Sequence, residues 1–169
     1  LRRQIKSPFR KPLVVMSPKS LFRHPMVVSS ISELESGSFQ ELIDDAIVNP
    51  KSVKRVVLCS GKVYYDLIAE RTKLNETSTA IVPVEQLYPF PANEIAEVIA
   101  KHPNANLLWV QDEPANQGPW PFVFENAQGI LEGRTLRRVS RRATASPATG
   151  SSHLHEEEQH ALIMEAFTR

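Results

Sequence analysis

The sequence comprises 169 residues, which is about the length of one domain. Hydrophobic residues make up 41% and charged residues 23% of the chain, as in ordinary globular domains. Because the formal net charge is only +1, the composition gives no reason to expect nucleic acid or a membrane surface as a partner. Cys59 is the one cysteine, so the chain has no internal disulfide framework and fits a reducing compartment.

In the first 50 residues, a short apolar run after Pro12 predicts a strand, and Ser17 with Pro18 predicts the start of a short helix through Leu21 and Phe22. Serine and glycine make residues 26–50 the least regular part, with a short helix near Phe39 to Ile43. Downstream, short apolar runs alternate with amphipathic stretches. With the first run, five strands are predicted: Leu13–Met16, Val53–Leu58, Ala80–Val84, Leu107–Val110 and Leu136–Ser140.

Four longer helices are predicted between and after these strands: Val63–Leu74, Ala92–Lys101, Gly118–Leu131 and one capped by Ser151 or Ser152. The inner face of the last helix is predicted to carry Leu154, Ala161, Leu162 and Phe167. Strands separated by helices of ten or more residues imply parallel connections. The predicted fold is therefore an α/β three-layer sandwich of about five mostly parallel strands.

The sequence contains no complete motif of a free-standing enzyme. Gly-x-Gly-x-x-Gly, a Walker loop and Gly-x-Ser-x-Gly are all missing. Ser60-Gly61-Lys62 follows a strand and opens a helix, which favours a tight turn over a phosphate site. His153, His155 and His160 do not share one helical face and indicate surface residues rather than metal ligands. Cys59, within an apolar strand, is interpreted as a small buried hydrophobe.

The segment 111–120 is the most unusual part of the chain, because it combines polar groups, prolines and an aromatic residue. Asp112 and Glu113 stand at the carboxyl end of a predicted strand, where ligand sites of α/β folds lie. Adjacent residues point in different directions, so the two are a poor acid–base couple. From the residues alone, a binding loop and a packed interdomain loop remain equally open.

Several blocks of the sequence resemble the C-terminal domain of thiamine-diphosphate-dependent 2-oxoglutarate dehydrogenase decarboxylase components, which is similar to that of transketolase. They run through the chain in the family's order: Arg10–Pro25, Val53–Leu67, Val84–Pro91, Trp109–Trp120 and Ser146–Gly150. The resemblance implies a single C-terminal domain over 1–169, cut from a longer chain, with 1–10 as the end of a preceding linker or helix. It implies a reaction in which 2-oxoglutarate is oxidatively decarboxylated and succinyl passes to lipoamide.

The resemblance also implies where the chemistry is carried out. Thiamine diphosphate, Mg²⁺ and the catalytic residues belong to preceding domains, so the fragment alone is expected to hold no cofactor and to be inactive. Its implied role is to pack on preceding domains of the same chain, complete a homodimer and shape the active-site approach. The implied contact residues are Gln111, Asp112, Glu113, Asn116, Gln117 and Trp120. Implied complex partners are the dihydrolipoyl succinyltransferase and dihydrolipoyl dehydrogenase components, in the bacterial cytoplasm or alternatively the mitochondrial matrix.

Two other functions remain open at this point. One is the same domain of a 2-oxoadipate dehydrogenase homologue, and the other is a nucleotide-sensing module. Some similar proteins bind a regulatory nucleotide near this domain, and Arg2, Arg3 and Gln86 stand at matching places as a candidate anion site. Basic residues expected there are replaced by Ser38, Asn93 and Glu94, so we expect no regulation by acetyl-CoA of that type.

Overall fold

A computed structural model describes residues 2–46 and 49–168, except the side chains of Arg2, Arg3 and Pro50. The chain divides into two compact units, Leu1–Gln40 and Glu41–Arg169. The first unit contains helix α1 (Arg2–Lys6), a 3₁₀ turn (Lys19–Arg23) and helix α2 (Ile31–Ser36). None of the side chains described between residues 4 and 40 is buried, so these residues form no hydrophobic core of their own.

The predicted strand Leu13–Met16 is wrong, because these residues form no ladder with another segment. Val14, Val15 and Met16 are 79%, 65% and 91% exposed. A β-branched run becomes a strand only where a neighbouring strand accepts and donates its backbone hydrogen bonds. Within the described part of the first unit no strand is present to do so.

Helix α2 lies in a stretch predicted as loop, and the sequence carries a signal for it. Ser30 and Glu33 form a capping box: Glu33 N–H donates to Ser30 Oγ at 3.2 Å, and Ser30 N–H donates to the Glu33 carboxylate at 2.6 Å. The Glu33 carboxylate accepts hydrogen bonds from both the backbone N–H and the hydroxyl of Ser30, and both bonds lower the pKa of Glu33. The predicted helix at Phe39 to Ile43 does not form, and Leu42 instead makes an isolated antiparallel bridge with Val84.

The second unit is a four-stranded parallel sheet, in the order β2-β1-β3-β4, between two layers of helices. Its elements in chain order are β1 (Arg55–Cys59), α3 (Val63–Leu74), β2 (Thr79–Pro83), α4 (Ala92–Lys101), β3 (Asn106–Pro114), α5 (Trp120–Ala127), β4 (Leu136–Arg141) and α6 (Ser152–Thr168). The three-layer α/β prediction is confirmed, with four strands rather than five.

Alternation along each strand divides the core into two apolar clusters. Val56 and Leu58 of β1 face α4 and α5, whereas Val57 and Cys59 face α3 and α6. Both faces of the sheet are therefore covered by apolar side chains and helices, as is usual for parallel sheets. Helix α6 buries Leu162, Ile163, Ala166 and Phe167, while the predicted inner residues Leu154 and Ala161 are exposed. No described helix has the length and apolar character to cross a membrane.

The segment 41–45 covers the outer edge of β2. Leu42 bridges Val84, and Ile43 N–H donates to Pro83 O at 3.1 Å. The Asp45 carboxylate accepts from Ile81 N–H at 2.9 Å and forms an ion pair with Arg71, and both side chains are almost completely buried. At this edge of the sheet, a carboxylate rather than another strand therefore accepts a backbone hydrogen bond from β2.

Replacing Asp45 by Asn should destabilise the chain by about 3–5 kcal/mol, because it leaves the buried Arg71 guanidinium without a counter-charge. Its neighbour Asp44 is the matched control. Asp44 pairs with Lys101 at 2.5 Å, but this pair is exposed and raises the pKa of Lys101 through a charged hydrogen bond. Asp44→Asn should cost less than about 1 kcal/mol. Urea unfolding of both variants measures the difference, and equal losses would contradict this interpretation.

Candidate functional site

The sheet has one topological switch point, between β1 and β3. From β1 the chain turns into α3 on one face of the sheet, and from β3 it turns into α5 on the opposite face. The two loops diverge at the carboxyl ends of neighbouring strands, which is where α/β folds usually bind ligands. The polar residues around this point form the candidate functional site.

The amide of Gln111, in the last part of β3, holds the loop 111–120 together. Its Oε1 accepts from the Trp109 indole N–H at 3.0 Å and from Trp120 N–H at 3.1 Å. Its Nε2 donates to Gln117 O at 2.7 Å and Pro114 O at 3.2 Å. Since Gln111 is 2% exposed and bonded at both ends, its role is to position the loop.

The loop is tight at Gly118, which has a φ of +71°. A Cβ atom there would lie 2.9 Å from Glu113 Cβ and 3.0 Å from Gln111 Nε2. Both the positive φ and the close approach therefore require glycine. Glu113 itself is exposed at the loop surface.

Asp112 points into a polar cluster that joins β3 to α3 and α6. The Gln159 Nε2 group donates to Asp112 Oδ1 at 2.6 Å and to Asp66 Oδ2 at 3.0 Å. Lys62, in the turn after β1, pairs with the same Asp66 oxygen at 2.8 Å. One side-chain amide thus bridges two carboxylates across the switch point. We call Lys62, Asp66, Asp112, Gln159 and Arg141 the switch-point cluster.

Arg141, the last residue of β4, completes this cluster. Its Nη2 donates to Gln159 Oε1 at 2.7 Å, and its Nη1 donates to His155 Nδ1 at 3.1 Å. Because a guanidinium can only donate, His155 Nδ1 is the acceptor of this hydrogen bond. The Glu158 carboxylate lies 3.8 Å from Arg141 Nη1. This arrangement orients the Gln159 amide, with its oxygen towards the cation and its nitrogen towards the two carboxylates.

Asn116 and Gln117 bind the loop that follows β4. Asn116 Nδ2 donates to Thr144 O at 3.0 Å, and Thr144 N–H donates to Asn116 Oδ1 at 3.1 Å. Gln117 Nε2 donates to the same Thr144 oxygen at 3.1 Å. Trp120 lies 5.4 Å from the Arg138 guanidinium, measured to the ring centroid. The predicted contact residues are thus brought together, with most of their polar atoms bonded within this unit; whether they contact other domains stays a prediction.

The second predicted site, at Arg2, Arg3 and Gln86, lies only partly within the described residues. Arg2 and Arg3 belong to the first unit, and their side chains lie outside the description. Gln86 belongs to the second unit, is 6% exposed and donates from Nε2 to Pro89 O at 3.1 Å. An anion site formed by these three residues stays a prediction.

The remaining candidates of the sequence behave as structural residues. Gly61, with a φ of +77°, makes the turn after β1. Burial raises the pKa of the Cys59 thiol far above its usual range, so Cys59 remains a neutral thiol and does not act as a nucleophile. Among the described residues, no three His, Cys, Asp or Glu side chains are grouped to hold a metal ion.

Replacing Gln111 by Glu should destabilise the chain by about 2–4 kcal/mol, because a carboxylate oxygen would face the carbonyls of Pro114 and Gln117. Gln128→Glu is the matched control, since the exposed Gln128 also donates to a main-chain carbonyl, Phe124 O at 2.8 Å. Its substitution should cost under about 1 kcal/mol. Denaturant unfolding, followed by Trp fluorescence, measures both, and a stable Gln111→Glu variant is incompatible with the positioning role.

Glu85 follows the end of β2, and desolvation raises the pKa of its carboxyl above its usual value. A raised folded-state pKa means that stability is lost as pH rises and the carboxyl ionises. Glu85→Gln should therefore match the parent chain below about pH 4 and become the more stable of the two as pH rises to 7. Urea midpoints between these pH values test this, and a constant difference across the range would contradict it.

Comparison with known proteins places the chain in a family. Residues 28–167 match the family model described as 2-oxoglutarate dehydrogenase C-terminal. The chain is 46% identical to the 2-oxoglutarate dehydrogenase E1 component of Cupriavidus necator, with 100% of this chain and 18% of that protein aligned. The 2-oxoglutarate dehydrogenase E1 component of Azotobacter vinelandii is 43% identical, with 99% of this chain and 18% of that protein aligned. The mitochondrial 2-oxoglutarate dehydrogenase of Caenorhabditis elegans is 44% identical, with 99% of this chain and 17% of that protein aligned. The chain spans under a fifth of these relatives' length. It belongs to the 2-oxoglutarate dehydrogenase C-terminal family.

Proposed function

We propose that this chain is the C-terminal structural domain of a 2-oxoglutarate dehydrogenase E1 polypeptide. The observation that carries the proposal is the 46% identity to an E1 component over the whole chain. In the proposed parent protein, 2-oxoglutarate is oxidatively decarboxylated and the succinyl group is transferred to lipoamide in the tricarboxylic acid cycle. The compartment is the bacterial cytoplasm or the mitochondrial matrix, since relatives of both kinds align with the chain.

The role of the domain in that protein is to pack against preceding domains and to complete a homodimer. The exposed apolar side chains of the first unit support this role, because exposed apolar patches mark interaction surfaces. They include Val14, Val15, Met16, Phe22 and Val28. The parent also works beside dihydrolipoyl succinyltransferase and dihydrolipoyl dehydrogenase components.

Thiamine diphosphate and Mg²⁺ are proposed to bind in other domains of the parent. There the cofactor supplies the carbanion chemistry. A magnesium diphosphate site needs carboxylate or amide oxygens free to coordinate the ion. In the switch-point cluster the Asp66 and Asp112 carboxylates instead accept hydrogen bonds from Gln159, and Asp66 also pairs with Lys62. This donor set does not fit the cofactor, so no catalytic step is assigned to it.

A chimera tests the proposed role directly. In the Cupriavidus necator E1 component, the aligned C-terminal segment would be replaced by this chain. We expect a dimer that binds thiamine diphosphate and transfers succinyl to lipoamide, with kcat within about tenfold of the parent. A folded, cofactor-loaded dimer without transfer activity would show that the chain does not perform this role.

The isolated chain provides the complementary measurement. It should neither decarboxylate 2-oxoglutarate nor bind thiamine diphosphate with Mg²⁺ in calorimetry. The same titration on the chimera is the matched positive control. Turnover or stoichiometric cofactor binding by the isolated chain would contradict the structural role.

A further inference from the structure

The two outer edges of the sheet differ in how they are covered. At the β2 edge, the segment 41–45 bridges Val84 and donates a backbone hydrogen bond to Pro83 O. At the opposite end of the sheet stands β4, and among the described residues β3 is its one strand partner. We call the side of β4 that faces away from β3 the β4 edge. No function proposed above uses it.

The β4 edge presents backbone hydrogen-bonding groups in an extended geometry. Arg141 O accepts from Ala115 N–H at 2.9 Å, so the Arg141 carbonyl is directed towards the segment that continues β3. Successive residues of a strand direct their backbone groups to opposite sides, so the N–H and C=O groups of Leu136 and Ser140 are directed outward. Beyond β3, no described segment pairs with them. An unpaired strand edge is a template on which another extended segment can add.

A groove of about 460 Å³ lies beside the carboxyl end of β4 and is shared with α6. Ser140 of β4 lines it, together with the apolar side chains of Ala161 and Leu162. The carboxylates of Glu157 and Glu165 line it as well. An added strand places every second side chain on this face of the sheet. The groove therefore favours an apolar side chain in the middle of that strand and disfavours an acidic one.

The two ends of the β4 edge carry positive charge that has no counter-charge. Arg137 and Arg142 are both exposed, and neither forms an ion pair among the described residues. An extended chain covers the distance between them in about 17 Å. Acidic side chains near the two ends of an added strand would meet these arginines, and opposite charges across neighbouring strands are favourable.

The same charges disfavour a second copy of this chain. In an antiparallel pair of two β4 strands centred between Val139 and Ser140, Arg137 would stand opposite Arg142, and Arg138 opposite Arg141. Like charges directly opposite each other destabilise a strand pair. Arginine on an edge strand thus prevents pairing between identical chains. It leaves pairing with an acidic segment favourable.

We propose that the β4 edge binds an extended segment of another polypeptide, which adds to the sheet as a fifth strand. Its acidic side chains lie near Arg137 and Arg142, and an apolar side chain between them lies over the groove beside α6. The surface does not depend on the proposed dehydrogenase role, since it lies within one unit of the chain. It is also separate from the sequence-predicted anion site at Arg2, Arg3 and Gln86.

Two end-blocked hexapeptides test the charge and the pairing together. Glu-Val-Thr-Val-Thr-Glu and Lys-Val-Thr-Val-Thr-Lys are titrated into the ¹⁵N-labelled 169-residue chain at constant ionic strength. We expect saturable shifts along β4 with the acidic peptide, a Kd below about 1 mM, and binding of the basic peptide at least about tenfold weaker. The Ser140 amide should also exchange more slowly with solvent deuterium when the acidic peptide is bound.

Two outcomes of this titration would overturn the proposal. Equal or absent binding of the two peptides means that the arginines only guard the edge against self-pairing. Shifts without slower exchange at Ser140 mean that the acidic peptide is attracted to the surface but adds no strand.

Variants separate strand addition from general charge attraction. The double variant Arg137→Glu with Arg142→Glu should reverse the preference between the two peptides, whereas Lys73→Glu, an exposed residue of α3, is the control that should leave it unchanged. Ser140→Pro removes one outward donor at an edge position that tolerates proline, so it should weaken the acidic peptide about tenfold while circular dichroism stays unchanged. An unchanged preference in the double variant, or full affinity in a folded Ser140→Pro variant, contradicts the assignment.

Two further measurements exclude other occupants of the β4 edge. Fluorescence anisotropy of the labelled acidic peptide should show that it binds the E1 chimera as tightly as it binds the 169-residue chain. Binding to the chain alone would mean that the rest of the E1 polypeptide covers the edge. Sedimentation should show no dimer that Ser140→Pro dissociates, since such a dimer would assign the edge to a second copy. Either result overturns the proposal, whereas an inactive chimera that binds the peptide counts only against the dehydrogenase role.

Discussion

The buried amide of Gln111 determines where the chain goes after β3. It accepts from Trp109 and Trp120 and donates to Gln117 and Pro114, so both ends of the loop are bonded to one side chain. An amide can do this because it carries donors and acceptors at fixed positions. The direction of the loop places Asn116 and Gln117 against Thr144, and thereby orders the segment that leads into α6.

The switch-point cluster gives the second unit a polar connection between its layers. Gln159 of α6 bonds Asp66 of α3, Asp112 of β3 and Arg141 of β4. Each of these elements also packs through the apolar cluster formed with α6. Apolar packing tolerates small rotations of a helix, whereas a side-chain amide between charged groups does so much less. The cluster therefore fixes the rotation of α6 on the sheet.

The sequence predicted the second unit well where the signals are local. The bounds of α3 and α4 agree with the prediction, because each follows from an apolar face and a clear stop near Asn75 or His102. Helix α2 is not among the predicted elements, although Ser30 and Glu33 are a sequence signal for a capping box. The strand Leu13–Met16 was predicted from composition, but strand formation depends on a partner that composition does not reveal.

The site was only partly predictable for the same reason. The loop 111–120 stands out locally, and its residues do lie together. Asp66 and Gln159, however, are 93 residues apart, and Asp112 and Gln159 are 47 apart. Only the order of the strands brings them into contact, and no short motif encodes that order. The roles of Arg141 and His155 were hidden for this reason too.

The exposed run Leu13–Met16 also affects how the chain behaves in concentrated solution. Short β-branched segments with free backbone groups are the stretches that stack into cross-β aggregates. Here the run is bounded by Lys11 and Pro12 on one side and by Pro18 and Lys19 on the other. Proline cannot donate to a growing ladder and like charges repel in register, so these flanks act as gatekeepers. They protect a segment that is apolar enough to self-associate.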